Sequence, residues 1–248
     1  MAGHSAWKNI KHKKAAADAK RGKMWSKCAR AIIIAAKNGG GDPASNLTLR
    51  YAIDDAKAVN MPKDTSEKAI NKGTGELAGE QLENVMYEGY GPGGAAIMVE
   101  ILTDNRNRTA GDIRLIFDKR GGELGKTGCV AYIFSPKGQI IVAKDAVEED
   151  KLMEIVLEAG AEDVVDAGDA WQVITPVPDF IAVRQAIEAA SIAVLSAELT
   201  QIPSTTVTCT GETAEKVFKL VEALEDNDDV QKVHANFEIP EEELAKLG

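Results

Sequence analysis

The sequence predicts an α+β protein of more than one domain. Three observations carry that reading. At 248 residues the chain exceeds one typical domain. Up to about residue 75 its apolar residues recur at helical spacing. Beyond a glycine-containing stretch at 73–81, GTGELAGEQ, short strand and helix patterns alternate instead, as in split β-α-β units.

The first helix is marked by Met24, Cys28, Ala31, Ile32 and Ala35, and NGGG (38–41) ends it. Asp42 reads as the N-cap of a second helix with Pro43 at its first position, and Leu49, Ala52, Ile53 and Ala56 form its apolar stripe. Asp64 with Glu67 is a capping-box variant for a short third helix that Gly73 stops. NVMYEGY and AAIMVEILTD then read as strands. TAGDIRLIFDKRGG reads as a helix with Thr109 and Asp112 in capping-box spacing and Gly121 past its end. VAYIFS and QIIVAK read as a hairpin around PKG. Helices near 148–159 and 179–190 and strands near 163–175 and 194–200 follow. The chain closes with a helix at 211–225, Val217, Leu220, Val221 and Leu224 inward, and the strand VQKVHANFE.

Composition limits the function classes. Hydrophobic residues make up 44% of the chain and charged ones 27%, a globular balance. Cys28, Cys129 and Cys209 have neither zinc nor C-x-x-C spacing, which predicts reduced thiols and a cytoplasmic protein. No apolar run approaches the length of a membrane span. The lysine-rich opening lacks the apolar segment of a secretory signal and is read as part of the working protein, not a presequence.

Charge is divided along the chain. Residues 1–37 hold ten Lys/Arg and one acid, a net of +9, whereas residues 79–248 hold 14 basic and 32 acidic residues, a net of −18. An acidic body repels a polyanion while a basic end attracts it. Clustered lysines and arginines neutralise phosphates and release counterions. Residues 1–21 read as a mobile arm. Lys20, Lys23, Lys27 and Arg30 share one helix face beside the apolar stripe. His4, Trp7, His12 and Trp25 are suited to stacking on bases, Trp25 equally to core packing. The candidate nucleic-acid contacts are therefore His4, Trp7, Lys8, Lys11, His12, Lys13, Lys14, Lys20, Arg21, Lys23, Lys27 and Arg30. In TDNRNRT (103–109), Arg106 and Arg108 precede a helix: either a second phosphate contact or a capped loop whose arginines pair with acids.

Other motifs point away from enzymes. GYGPGG (89–94) matches G-x-G-x-x-G, but Pro92 interrupts it and a strand follows, so it reads as a tight turn with glycines at positive φ. No nucleophile elbow, P-loop, zincin motif or paired Cys/His set appears. EDNDD (225–229) and EEE (241–243) lack calcium-loop spacing and read as a solvated turn and tail. No catalytic residue, metal, cofactor or small-molecule substrate is expected.

The opening block MAGHSAWKNIKHKKAAADAKRGK, with YEGYGPGG, TDNRNRT, VAYIFSPKG, EAGAEDV and AELTQIPST, resembles the YebC-like family essentially end to end. The resemblance implies three domains: a basic helical domain at 1–78, a discontinuous α/β domain at 79–128 plus 204–248, and an α/β domain at 129–203 inserted within it. It also implies that the opening block, from His4 to Lys27, is the contact surface. Ala6 stands where relatives usually have lysine, and Trp25 where phenylalanine is common. The family is described as probable transcriptional regulators that bind DNA, and its mitochondrial members as translational activators. The implied function is a DNA-binding transcriptional regulator, with a ribosome- or messenger-RNA-associated translation factor as the alternative. The stacking aromatics lean toward RNA, and the family description leans toward DNA.

Overall fold

The structure, a computed structural model, describes residues 18–75 and 82–240. Three helices come first: α1 (Asp18–Gly39), α2 (Leu47–Ala58) and α3 (Lys63–Gly73). Their core is built from small and branched residues, Ile32, Ala35, Ala36, Leu49, Ala52, Ala56 and Ala69, which lets the helices approach closely. At Gly73 a Cβ would lie 2.4 Å from the Ile33 carbonyl oxygen, so α3 can only end here against α1 with no side chain.

Capping differs from the sequence expectation at three helices. Asp42 closes a turn, its Oδ1 accepting from Ala44 N at 3.0 Å. The N-cap of α2 is Asn46, which accepts from Leu49 N at 3.1 Å and donates to the carbonyls of Ala35 and Gly40 at 2.8 and 2.7 Å. One amide joins the end of α1 to the start of α2, and that tertiary contact decides the boundary. Helix α3 starts after Pro62, so Asp64 sits inside its first turn and pairs with Lys68 at 3.6 Å instead of capping.

A four-stranded antiparallel sheet follows, in the order β3-β1-β2-β9, from β1 (Glu83–Tyr90), β2 (Ala96–Thr103), β3 (Glu123–Leu124) and β9 (Val230–Ala235). The glycine turn between β1 and β2 is as expected: Gly93 and Gly94 have φ of +75° and +78°. Helices α4 (Arg106–Lys119) and α7 (Gly211–Glu225) cover one face. Ile97, Val99 and Ile101 of β2 meet Ile113, Phe117, Val217, Leu220 and Leu224 there. Ala96 and Met98 point to the other face, against Val130 and Phe134. Burial of both faces explains why β2 is apolar without alternation.

Helix α4 begins three residues before its expected cap. Asn105 is the N-cap, its side chain accepting from Arg108 N at 3.1 Å, and Thr109 lies buried within the helix. The expected hairpin around PKG is also replaced. Ala131–Ile133 is a short 3-10 turn, and β4 (Phe134–Ala143) runs unbroken through Pro136 and Gly138. Pro136 is tolerated because β6 (Ala170–Thr175) pairs with β4 only from Gly138 onward, leaving one side of the strand free. Gly138 is required for a close approach: a Cβ there would lie 2.4 Å from the Phe180 ring.

The second sheet has the order β5-β6-β4-β7, adding β5 (Asp163–Asp166) and β7 (Val194–Pro203). Helices α5 (Glu149–Glu158) and α6 (Phe180–Ala189) close a core of Ile140, Val142, Leu152, Val156, Val173, Phe180, Val183 and Ile187. A short parallel pair, β8 (Val207–Thr208) with β10 (Phe237–Glu238), lies beside the first sheet. The chain thus leaves the first sheet after β3, builds the second, and returns through α7 and β9. The fold is α+β and multidomain, an all-α unit followed by two α/β units, the third inserted in the second.

Candidate nucleic-acid interface

The basic opening residues His4, Trp7, Lys8, Lys11, His12, Lys13 and Lys14 lie outside the described residues. Lys20 and Arg21 fall on the first turn of α1, and their side chains are likewise outside them. From Lys23 onward the cationic ridge has a defined environment. Lys23 Nζ donates to the Asp226 carbonyl at 3.0 Å, Lys27 Nζ to the Glu225 carbonyl at 2.5 Å, and Arg30 Nη1 to the Asp228 carbonyl at 2.8 Å. These carbonyls belong to the last residue of α7 and the turn after it. A helix C-terminus carries partial negative charge and unpaired carbonyls, which cations satisfy. The ridge therefore docks α1 on α7. Lys23 keeps half of its side chain in solvent.

Asp229 is the centre of this junction and is only 5% exposed. Its Oδ1 accepts from Arg30 at 2.7 Å. Its Oδ2 accepts from Arg108 at 2.8 Å, Thr109 Oγ1 at 2.7 Å and Thr103 Oγ1 at 3.2 Å. Burial raises the Asp229 pKa, but these donors and the Arg30 charge outweigh it and hold the carboxyl below its ordinary value. The EDNDD run, read from sequence as a solvated turn, thus holds a buried anchor. Its signal is visible only in three dimensions, since Arg30, Arg108 and Asp229 are far apart in the chain.

Of the two readings of TDNRNRT, Arg108 takes the acid-paired one, bridging Asp104 and Asp229, each at 2.8 Å. Arg106 is exposed, and its backbone carbonyl accepts from Tyr87 Oη at 3.4 Å. Trp25 packs on the helical core and donates its indole N–H to the Val59 carbonyl at 3.0 Å. That contact gives it a core role.

A second buried carboxylate escaped the sequence reading. Glu88 of β1 is 3% exposed. It accepts three backbone N–H groups, from Gly128 at 2.7 Å, Val130 at 2.9 Å and Ala131 at 2.8 Å. Burial pushes its pKa up, and the three donors more than reverse that, leaving it below the usual carboxylate range. Glu88 thereby fixes the segment that joins β3 to β4. His234 of β9 is also buried, its Nε2 2.8 Å from Glu100 Oε1 and its Nδ1 3.3 Å from Thr200 Oγ1 of β7. With Lys232 donating to Glu198 at 3.0 Å, this forms a polar seam between the two sheets.

Among the described residues no group of three or more His, Cys, Asp or Glu is placed to hold a metal ion, and no helix is long and apolar enough to cross a membrane. Cys28, Cys129 and Cys209 are free thiols.

A helical unit docked through basic side chains on an α+β body, with a third unit inserted, defines a recognisable class of protein. The description "TACO1/YebC protein N-terminal domain" matches residues 5–76, and "TACO1/YebC second and third domain" matches residues 82–237. The chain belongs to the TACO1/YebC family. A "Probable transcriptional regulatory protein" of Dictyoglomus turgidum is 56% identical over 249 residues, covering 100% of both chains. A protein of Geobacter sulfurreducens with the same description is 54% identical over 247 residues, again covering 100% of both. Among solved structures, a conserved hypothetical protein from Aquifex aeolicus superposes with a TM-score of 0.84 at 50% identity, covering 94% of this chain and 96% of that one.

Proposed function

We propose that this protein is a nucleic-acid-binding regulator of gene expression, a DNA-binding transcriptional regulator that works in the cytoplasm. The observation that carries it is the net charge of +9 within residues 1–37 of a chain whose total is −10. The description of its full-length relatives as transcriptional regulatory proteins supports the same reading. In this proposal the contacts are His4, Trp7, Lys8, Lys11, His12, Lys13, Lys14, Lys20 and Arg21. Lys23, Lys27 and Arg30 hold the helical unit on the body, and Arg106 offers an outlying phosphate contact. The working units are residues 1–78, 79–128 with 204–248, and 129–203. The activity is binding, not catalysis, and requires no metal, cofactor or small-molecule substrate.

Replacing Lys11, Lys13 and Lys14 with glutamate tests this reading. Binding of a labelled duplex, followed by fluorescence anisotropy, is expected to be abolished. If about six phosphates are engaged by the intact chain, log K falls with log salt with a slope of roughly −5. Unchanged affinity of the triple variant at moderate salt would remove the basic segment from the function. Cross-linking in cells followed by sequencing identifies the target. Discrete promoter DNA supports transcriptional regulation. Ribosomal or transfer RNA clustered at one site would overturn it in favour of a translation factor.

A further inference from the structure

We propose that the acidic turn closing α7 is an autoinhibitory contact: it holds Lys23 and Lys27 in the place of phosphates, and nucleic acid displaces it. The inference rests on the nucleic-acid reading above and adds a competitor, built into the chain, for part of the same basic surface.

Helical spacing puts Lys20, Lys23 and Lys27 on one face of α1. Lys23 follows Lys20 by one turn, about 4.5 Å along the axis. A phosphate strand that follows this face beyond the opening residues reaches Lys23 and Lys27 next. In the free chain that place is taken. Lys23 Nζ donates to the Asp226 carbonyl at 3.0 Å and lies 4.0 Å from Asp226 Oδ1. Lys27 Nζ donates to the Glu225 carbonyl at 2.5 Å. Residues 222–229 contain five acids and no lysine or arginine. They stand where α7 ends, so the partial negative charge of the helix C-terminus adds to theirs. A run of anionic oxygens facing a cationic ridge is the chemistry a phosphate strand would bring to it.

The three cations of the ridge are held differently, and the difference decides what nucleic acid displaces. Arg30 reaches the Asp229 carboxylate at 2.7 Å, and that side chain is 7% exposed. Pulling Arg30 away would leave a buried carboxylate short of a charged partner, a strongly unfavourable step. Lys23 and Lys27 donate to carbonyl oxygens, which carry the partial charge of a helix end. An ionised phosphate oxygen makes the stronger, charge-assisted hydrogen bond. The Lys23–Asp226 pair, with side chains 50% and 65% exposed, is a surface pair that salt screens and water competes for. Phosphate therefore outcompetes the turn at Lys23 and Lys27 but not at Arg30. Arg30 stays as the anchor while the lysines before it exchange partners, and the turn lowers the affinity for any duplex by the work of displacing it.

The test uses the full chain and a labelled duplex, with anisotropy read over a range of salt. Asp226→Asn with Asp228→Asn neutralises the two exposed acids of the turn and spares Asp229. This variant is expected to bind about threefold tighter, the scale of one exposed ion pair. Glu154→Gln with Glu158→Gln makes the same charge change on exposed positions of α5 and is expected to gain less. Equal gains would mean that net charge alone is read, which overturns the proposal. Lys23→Gln with Lys27→Gln keeps a donor for each carbonyl and so keeps the docking. Its log–log salt slope is expected to be shallower by about two, the loss of two phosphate contacts. An unchanged slope overturns the proposal, and the basic-segment reading survives if the Lys11, Lys13 and Lys14 variant still fails to bind. Carbodiimide cross-linking, read by peptide mass spectrometry, follows the displacement directly. Saturating duplex is expected to suppress the Lys23–Asp226 amide and to spare the Lys219–Glu215 amide within α7. A Lys23–Asp226 amide that persists in the complex overturns the proposal. If the parent chain binds no duplex, both readings fall.

Discussion

Asp229 shows how much one side chain can carry here. It gathers Arg30 from the helical unit, Arg108 and Thr109 from α4, and Thr103 from β2. Asp229→Ala removes the acceptor for all four and leaves the threonine hydroxyls buried. A loss of about 2–3 kcal/mol is expected by urea unfolding, since both arginines retain solvent access. Glu88→Gln replaces an oxygen acceptor with an amide that must face backbone donors. A cost of about 1–3 kcal/mol is expected. Both carboxyls have folded pKa values below their unfolded ones. The folded state then binds fewer protons than the unfolded state, so stability rises with pH. The contribution is complete above about pH 4–4.5, the unfolded range, and is lost as pH falls through the lowered folded values. Thermal melts of Glu88→Gln between pH 3 and 6 should show a flatter acid limb than those of the parent chain.

The helical elements are set by contacts between them as much as by their own sequences. Asn46→Ala should cost more than the ~1 kcal/mol of an ordinary N-cap, because its amide also satisfies the carbonyls of Ala35 and Gly40. Gly73→Ala puts a methyl group into the Ile33 carbonyl. Thermal unfolding of that variant should reveal a loss of about 1–3 kcal/mol, the range for overpacking. A change of only a few tenths would mean that α3 shifts freely on α1. Helix α1 itself has two jobs. Its apolar stripe makes the helical core, and its basic ridge lies on the C-terminus of α7. The ridge therefore aims the helix relative to the body.

Across the molecule the three units are joined by the Asp229 junction, the polar seam between the sheets and a ring pair. Tyr51 of α2 meets Phe180 of α6 with ring centroids 5.6 Å apart, tying the helical unit to the inserted one. Tyr51→Ala should forfeit about 0.5–1.5 kcal/mol of ring pairing beyond burial. It should also separate the unfolding of the helical unit from that of the rest in calorimetry. A single unchanged transition would show that the contacts of Lys23, Lys27 and Arg30 with the body suffice. The charge division acts at this level too. The acidic body carries a net of −18 over residues 79–248. Its net charge should disfavour duplex DNA relative to the basic end, an effect that fades as salt rises.

Local pattern was enough for the class of fold, for the order of the helices and of most strands, and for the basic character of one end. Val217, Leu220, Val221 and Leu224 face inward as their spacing requires, and Gly93, Gly94 and Gly121 take the positive φ their turns need. These features depend on neighbours within a few residues, which is what periodicity and turn chemistry report. Long-range contacts decided the rest. Asn46 displaced Asp42 as a cap because it reaches α1. PKG became strand because β7 pairs along it. Arg108 turned to Asp229, and the EDNDD run became an anchor for the ridge. A charge written in sequence states only a need for a partner. Which partner meets it, whether Asp229, a helix C-terminus or a phosphate, follows from where the folded chain puts the nearest opposite charge.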